Sequence, residues 1–244
     1  MNAWETPASA LAIALCALSV ASPLAPEAHT SQPGRALEAR RYHDLTKHTP
    51  GKAHTRRHTA TWANKPALYR SYPGAETVQL PPPRRLTRSA LTAIAAARPA
   101  AFDTPQPLDL KGLGTILFLT GGISGTRPTS GGDIRTTAAA GALYPNELYA
   151  VTGDLPGLPA GIYHHDPKRQ VLSRLRSGDW RAALATAALD ERIRNAPASI
   201  VLTGILWRSA WKYGERAYRH LHWDGGMMLA HTLAAAEASN LPAT

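Results

Sequence analysis

Residues 199–206 read SIVLTGIL, an apolar run of strand length with no polar face. Such a strand must be covered on both sides, so the segment demands a sheet interior with other layers packed above and below it. Parallel nucleotide-binding winding is not the way this chain supplies those layers. No G-x-G-x-x-G follows a strand, no Gly-Lys-Ser/Thr is present, and Gly121, Gly122, Gly125, Gly131 and Gly132 lack the spacing of a phosphate loop.

The surrounding segments alternate helix and strand signals. Ser89 can cap an Ala-rich helix over 89–98 that stops before Pro99, and Asp109 can cap a second over 110–119, closed by Gly121-Gly122. A Gly/Ser/Thr-rich stretch over 121–137 reads as a loop. Residues 147–152 (ELYAVT) read as a strand, and 161–165 with 170–175 flank Asp166-Pro167-Lys168-Arg169 as a hairpin. Helices are expected over 179–189, capped by Gly178 or Asp179, and over 218–239. This order predicts an α+β domain, a small mixed sheet flanked by helices, over 89–244, preceded by an extended N-terminal arm over 1–88.

That arm is basic. The chain carries 27 Lys+Arg against 17 Asp+Glu, a net charge of +10, and residues 34–70 hold nine of the cations against Glu38 and Asp44 alone. Prolines 50, 66, 73 and 81–83 predict an extended strap with short helical pieces. A basic strap could track phosphates, but no zinc-finger, helix-turn-helix or RNA-recognition motif accompanies it, so the reading is a solvated or self-docked segment and not a nucleic-acid partner. At its start, residues 8–20 are apolar and Ala21-Ser22-Pro23 follow. Glu5 stands where a secretory signal would carry Lys or Arg, which favours a buried helix and a cytoplasmic protein over export. No apolar run reaches the roughly 18–20 residues of a membrane span. The lone Cys16 excludes an intrachain disulfide, and the His54/His58 and His220/His222 pairs lack a third metal ligand in register.

Two segments carry more chemistry than packing needs. Residues 135–149 (RTTAAAGALYPNELY) lead small residues into a strand, which lets a flat ligand approach free backbone N–H groups. Residues 211–219 (WKYGERAYR) place Lys212, Tyr213, Arg216 and Arg219 between the buried strand and the long helix. A desolvated lysine beside a tyrosine makes a proton-transfer pair, in which the ammonium would favour phenolate. Arg216 and Arg219, one turn apart, could grip an anion. A third run, 155–167 (LPGLPAGIYHHDP), reads only as a turn into the hairpin.

Together the three runs resemble the SagB-type dehydrogenases, the azoline-oxidising branch of the FMN-dependent nitroreductase family, whose R-T-x-x-S-A-G-A-L-Y-P-x-E-L-Y, G-L-P-A-G-x-Y-x-Y-D-P and K-Y-G-E-R-x-Y-R runs occur here in family order. The likeness spans about 40–241 and includes the arm's Tyr42-His43 and Trp62-Ala63-Asn64-Lys65-Pro66. It implies a dimeric nitroreductase-like fold with FMN at the subunit interface. It also implies a peptide or small-molecule substrate and a cyclodehydratase partner. Lys212 and Tyr213 take the catalytic places by this resemblance, Ala139, Ala140 and Gly141 lie beside the flavin ring, and Arg98, Arg135 and Arg216 are cofactor contacts. The chain departs from the pattern at the family's phosphate-gripping arginine cluster, where it reads Ala95 to Phe102 with Arg98 alone, and at Ala139, which replaces a serine. It also stops at Thr244, where the family continues into a Gly-rich loop, a further strand and a tail, so a shortened domain is expected.

Overall fold

The computed structural model describes residues 12–14, 33–50, 59–95 and 107–243. In chain order the elements are β1 (Ala12–Ala14), α1 (Pro33–Thr46), β2 (Thr77–Gln79), α2 (Ala90–Ala95), α3 (Leu110–Gly121), β3 (Ile123–Thr126), β4 (Asp133–Arg135), β5 (Asn146–Thr152), β6 (Gly161–Asp166), β7 (Val171–Ser177), α4 (Arg181–Ala188), α5 (Arg192–Asn195), β8 (Ala198–Gly204), α6 (Leu206–Tyr213) and α7 (Ala217–Ala238). The architecture is the expected α+β arrangement. One six-stranded sheet runs in the order β1-β8-β5-β6-β7-β2, antiparallel except where β1 lies parallel to β8.

β8 sits inside that sheet, as its composition requires, with residues 198–202 buried. On one face, Leu148 and Ala150 of β5 and Ile200 and Leu202 of β8 meet Leu113, Ile116 and Leu117 of α3 and Met228, Ala235 and Ala236 of α7 in one apolar cluster. α3 starts as its cap residue dictates: Asp109 accepts the Gly112 N–H at 2.7 Å and is also held by Arg84. Ser89 likewise accepts the Thr92 N–H at the head of α2.

The opposite face is polar, because the alternate residues of β5 and β6 are Glu147, Tyr149 and His164. The arm covers it. Tyr72 packs edge-on to His164 and shares a 2.8 Å hydrogen bond with the Tyr149 hydroxyl. Trp211 and Arg208 of α6 donate to the Thr61 and Ala67 carbonyls at 2.8 Å each. The strap therefore docks on its own domain through aromatic edges and backbone carbonyls.

Several elements differ from the sequence reading. The arm holds a four-turn helix, α1, and contributes β2 to the main sheet, so the sheet crosses the expected boundary at residue 88. Of the apolar run 8–20, only 12–14 lie among the described residues, and they form a strand where a helix was expected. An unpatterned apolar run suits an edge beside β8 as well as it suits a buried helix. The 121–137 loop contains a hairpin, β3 with β4, irregular between Ile123 and Gly125. Strands this short carry too little alternation to be read. No helix among the described residues is long and apolar enough to cross a membrane.

His165 gives the fold a pH signature. It is fully enclosed in β6, burial pushes its pKa down to about 4, and its Nε2 lies 3.3 Å from Gln170 Oε1. The folded state therefore binds fewer protons than the unfolded chain, whose histidine titrates near 6.5. Stability is complete above that value and falls as the pH drops, by about 2 kcal/mol at pH 5. Urea midpoints at pH 7.5 and 5.0 should separate accordingly, and His165→Gln should narrow the gap; an unchanged gap would exclude His165 as its source.

Candidate active site

β5 is entered through residues 137–145, a connection with unusual backbone. Gly141, Ala142 and Tyr144 adopt φ values of 61°, 55° and 46°, so two non-glycine residues sit in left-handed conformation beside a glycine. Each such residue costs on the order of 1 kcal/mol and persists only where surrounding contacts hold it. Here four contacts do. The Ala140 N–H donates to both carboxylate oxygens of Asp224 on α7, at 3.0 and 3.2 Å. Arg208 donates to the Tyr144 carbonyl at 2.9 Å. The Tyr144 hydroxyl accepts the Arg135 N–H at 3.3 Å, and the Pro145 carbonyl accepts Ile205 N–H at 2.8 Å.

Gly141 faces the end of α6. A Cβ built there would lie 2.5 Å from the Tyr213 hydroxyl and 2.9 Å from Lys212 Nζ. The structure thus brings together the small-residue turn, with Ala139 and Ala140 half-buried and Gly141 exposed, and the lysine–tyrosine pair 71 and 72 positions later. Two expectations about that pair need correcting. Lys212 is exposed and not desolvated, and its Nζ stands 5.6 Å from the Tyr213 ring centre. Tyr213 does not tend toward phenolate: burial, reinforced by the Asp224 charge, pushes its pKa up, so it remains a phenol and a hydrogen-bond donor.

The arginines are employed elsewhere. Arg135 is 7% exposed, its guanidinium stacked between Tyr69 and Tyr144 at 5.2 and 4.9 Å, with one long bond to the Leu68 carbonyl and no hydrogen-bond partner for Nε. Burial pushes its pKa down. Arg216 donates to the Thr46 carbonyl at the end of α1 and stands over Trp223. Arg219 adds bonds to Thr46 Oγ1 and the His43 carbonyl. The two cations that could have gripped an anion instead close the C-terminus of α1, where helix carbonyls lack partners. Arg98 lies outside the described residues. No group of three or more metal-ligating side chains occurs among the described residues.

Sequence reasoning missed the supports. Glu147 is buried with His164 Nε2 2.8 Å from one oxygen and Arg208 Nη1 2.5 Å from the other, the latter an ion-pair contact outside hydrogen-bond angles. Burial opposes the charge on Glu147, but the His164 hydrogen bond and the Arg208 charge outweigh it and hold its pKa below the usual carboxylate range. Asp224 was also missed, although it falls on the buried stripe of α7 with Ala217, Met228, Thr232 and Ala235. A charged residue in step with core residues is a legible signal.

No protein-family model matches the chain. A protein of Methanocaldococcus jannaschii named "putative nitroreductase" is 32% identical over 122 residues, half of this chain and 59% of that protein. Among solved structures, one of the same name from Anabaena variabilis superposes with a TM-score of 0.63 at 25% identity, over 81% of this chain and 38% of the other. A third so named, from Ralstonia eutropha, gives 0.51 at 19% identity over 70% and 76% of the two chains. The fold is nitroreductase-like, and the chain spans 59% of the length of the archaeal relative.

Two substitutions probe the geometry. Gly141→Ala should lose about 1–2 kcal/mol from the left-handed backbone alone and displace the Tyr213 ring, lowering the melting temperature and altering the near-UV circular dichroism. Parental behaviour in both would disprove the close approach. Arg208→Met should cost about 3–5 kcal/mol by leaving Glu147 buried without its cation, and adding Glu147→Gln should restore part of that loss.

Proposed function

We propose that the chain forms the core of an FMN-dependent oxidoreductase that oxidises azoline rings in peptides to azoles. The observation that carries this reading is the meeting of Gly141 with the Lys212 and Tyr213 heads. A turn of two alanines and a glycine carries little side-chain bulk of its own, and two proton-bearing groups stand directly against its glycine. The flavin, when bound, supplies the acceptor for the hydride leaving the azoline ring. The protein's share is the proton and the geometry. Lys212 is the group placed to take the proton from the adjacent ring carbon, and Tyr213, kept protonated by its surroundings, donates a hydrogen bond to the substrate's polar edge. A homodimer and a cyclodehydratase partner belong to the same reading.

At the ring end of FMN, Ala139 and Ala140 are small enough to admit a flat group, while the space a Cβ would take at Gly141 holds the Tyr213 hydroxyl and Lys212 Nζ, so a bound ring would lie beside those heads. For the phosphate end, Arg135 and Arg216 are engaged with protein acceptors in this structure. That engagement favours, as a second reading, a flavin-free scaffold that binds a peptide or partner. The names of the relatives favour a third, NAD(P)H-driven reduction of nitro or quinone compounds on the same fold.

Titrating purified protein with FMN and following flavin absorbance separates the first. Stoichiometric yellow protein that converts azoline peptide supports the azoline oxidase, and Lys212→Ala should then retain flavin while turnover falls about 10²–10⁴-fold, the range of a lost general base. Parental turnover by that variant removes Lys212 from the chemistry. Nitro reduction with NAD(P)H and no azoline turnover selects the reductase. Protein that stays colourless selects the scaffold.

A further inference from the structure

Asp224 is a buried carboxylate without a cation. It is 7% exposed on the core-facing stripe of α7, and no described Lys, Arg or His lies within ion-pairing distance of it. Its hydrogen bonds run to one neutral group, the Ala140 N–H, which both oxygens accept. The helix is shaped to bring it there: the next residue is Gly225, where a Cβ would meet the Asn146 side chain at 3.3 Å, so a larger residue would press α7 away from the start of β5. Glycine in a helix interior is less favourable than alanine, so close approach is gained at a loss of helix stability.

A carboxylate is the wrong choice for simple packing. Burial disfavours its charged form and pushes its pKa up, a penalty the single Ala140 bond only partly offsets. An asparagine would accept the same N–H without that penalty. Charge makes sense if the bond must be strong, because a charged acceptor gives roughly twice the strength of a neutral one. What the bond holds is the amide just before Gly141, the residue against which Lys212 and Tyr213 close.

We propose that Asp224 is the positioning residue of the site: its carboxylate, by gripping the Ala140 N–H, holds the left-handed Gly141–Ala142 turn against the Lys212 and Tyr213 heads. The groups facing it are Ala140 and Gly141 of the turn, Tyr213 of α6, and Arg135, Tyr144 and Asn146 across a cavity of about 10 Å³ that Thr137, Ala139 and Met228 help to line. Asp224 acts on the chemistry through the turn and touches no reacting atom itself. Its functional importance rests on the site proposed above; its grip on the turn does not.

The test separates the two. In flavin-free protein, amide hydrogen exchange at Ala140 should quicken on the order of tenfold in Asp224→Ala, with Asp224→Asn in between, while helices α3 and α7 keep their protection and the melting temperature of Asp224→Asn at pH 8 matches or exceeds the parent's. Ala140 exchange at the parental rate in Asp224→Ala overturns the proposal. So does a general rise in exchange across α3 and α7 in both variants, the mark of a core residue. FMN affinity is read in parallel and should weaken roughly three- to tenfold in Asp224→Asn, the worth of one weakened hydrogen bond. If the parent binds no FMN but Ala140 still quickens, the grip stands and the flavin reading falls.

Discussion

The Glu147–Arg208 ion pair joins the central strand β5 to α6, and the geometry of the site follows from it. Both side chains are 2% exposed, so neither charge can be shed to solvent. Breaking such a pair is far more costly than never having had it, and its net contribution to stability against an apolar pair is small. What it supplies is registration. Arg208 also donates to the Ala67 and Tyr144 carbonyls, so one guanidinium ties together the arm, the strand and the strained turn. Lys212 lies one helical turn beyond Arg208, and Tyr213 follows it. With α6 clamped at Arg208, the direction in which the helix delivers those two heads is set.

The turn has its own conflict to resolve. Left to itself, a segment with Gly141, Ala142 and Tyr144 at positive φ would relax. It is held from α7 through Asp224, from α6 through Arg208 and from the end of β8, where the chain turns into α6, through Ile205. The three elements are themselves packed on one another around α7, so strain at the turn is borne by the body of the domain. Side chains larger than alanine or glycine over 138–142 would fill the face the turn presents. Composition and backbone strain thus serve one end, a bare and rigid ledge.

Much of this fold was readable because its signals are local. Asp109 and Ser89 cap helices, Asp166-Pro167 turns a hairpin, and the apolar run of β8 leaves no alternative to burial. The elements that escaped are those defined by distant partners. β1 and β2 are three residues each and exist because β8 and β7 offer edges. α6 was hidden by its polar composition, since Arg208 and Ser209 are buried yet read as surface. The pairing of Gly141 with Lys212 and Tyr213 came from the resemblance, for no periodicity links positions 71 apart. The electrostatics were misjudged for a related reason: a sequence places lysine beside tyrosine but says nothing of the burial of the phenol and of the Asp224 charge, which together turn it away from ionising.

Asp224 and Arg135 together explain why the two ends of the site differ. Both line the same small cavity, yet they are not ion-paired, and each is committed to the turn: the carboxylate to its amide, the guanidinium to the Tyr144 ring. Placing a cation on Tyr144 and an anion on Ala140 fixes the turn at both ends, while Lys212 Nζ and the Tyr213 hydroxyl stand against Gly141 between them. A ledge of small side chains suits the flat, weakly polar body of a ring; it does not suit a phosphate, which wants several charge-assisted donors. The cations that could supply them, Arg216 and Arg219, are drawn to the carbonyl end of α1. Thr46 offers them one neutral carbonyl and one hydroxyl, acceptors weaker than a dianion, so the grip of the arm and the grip of an anion compete for the same two guanidinium groups. The arm is therefore part of the site's electrostatics as well as a cover for the sheet.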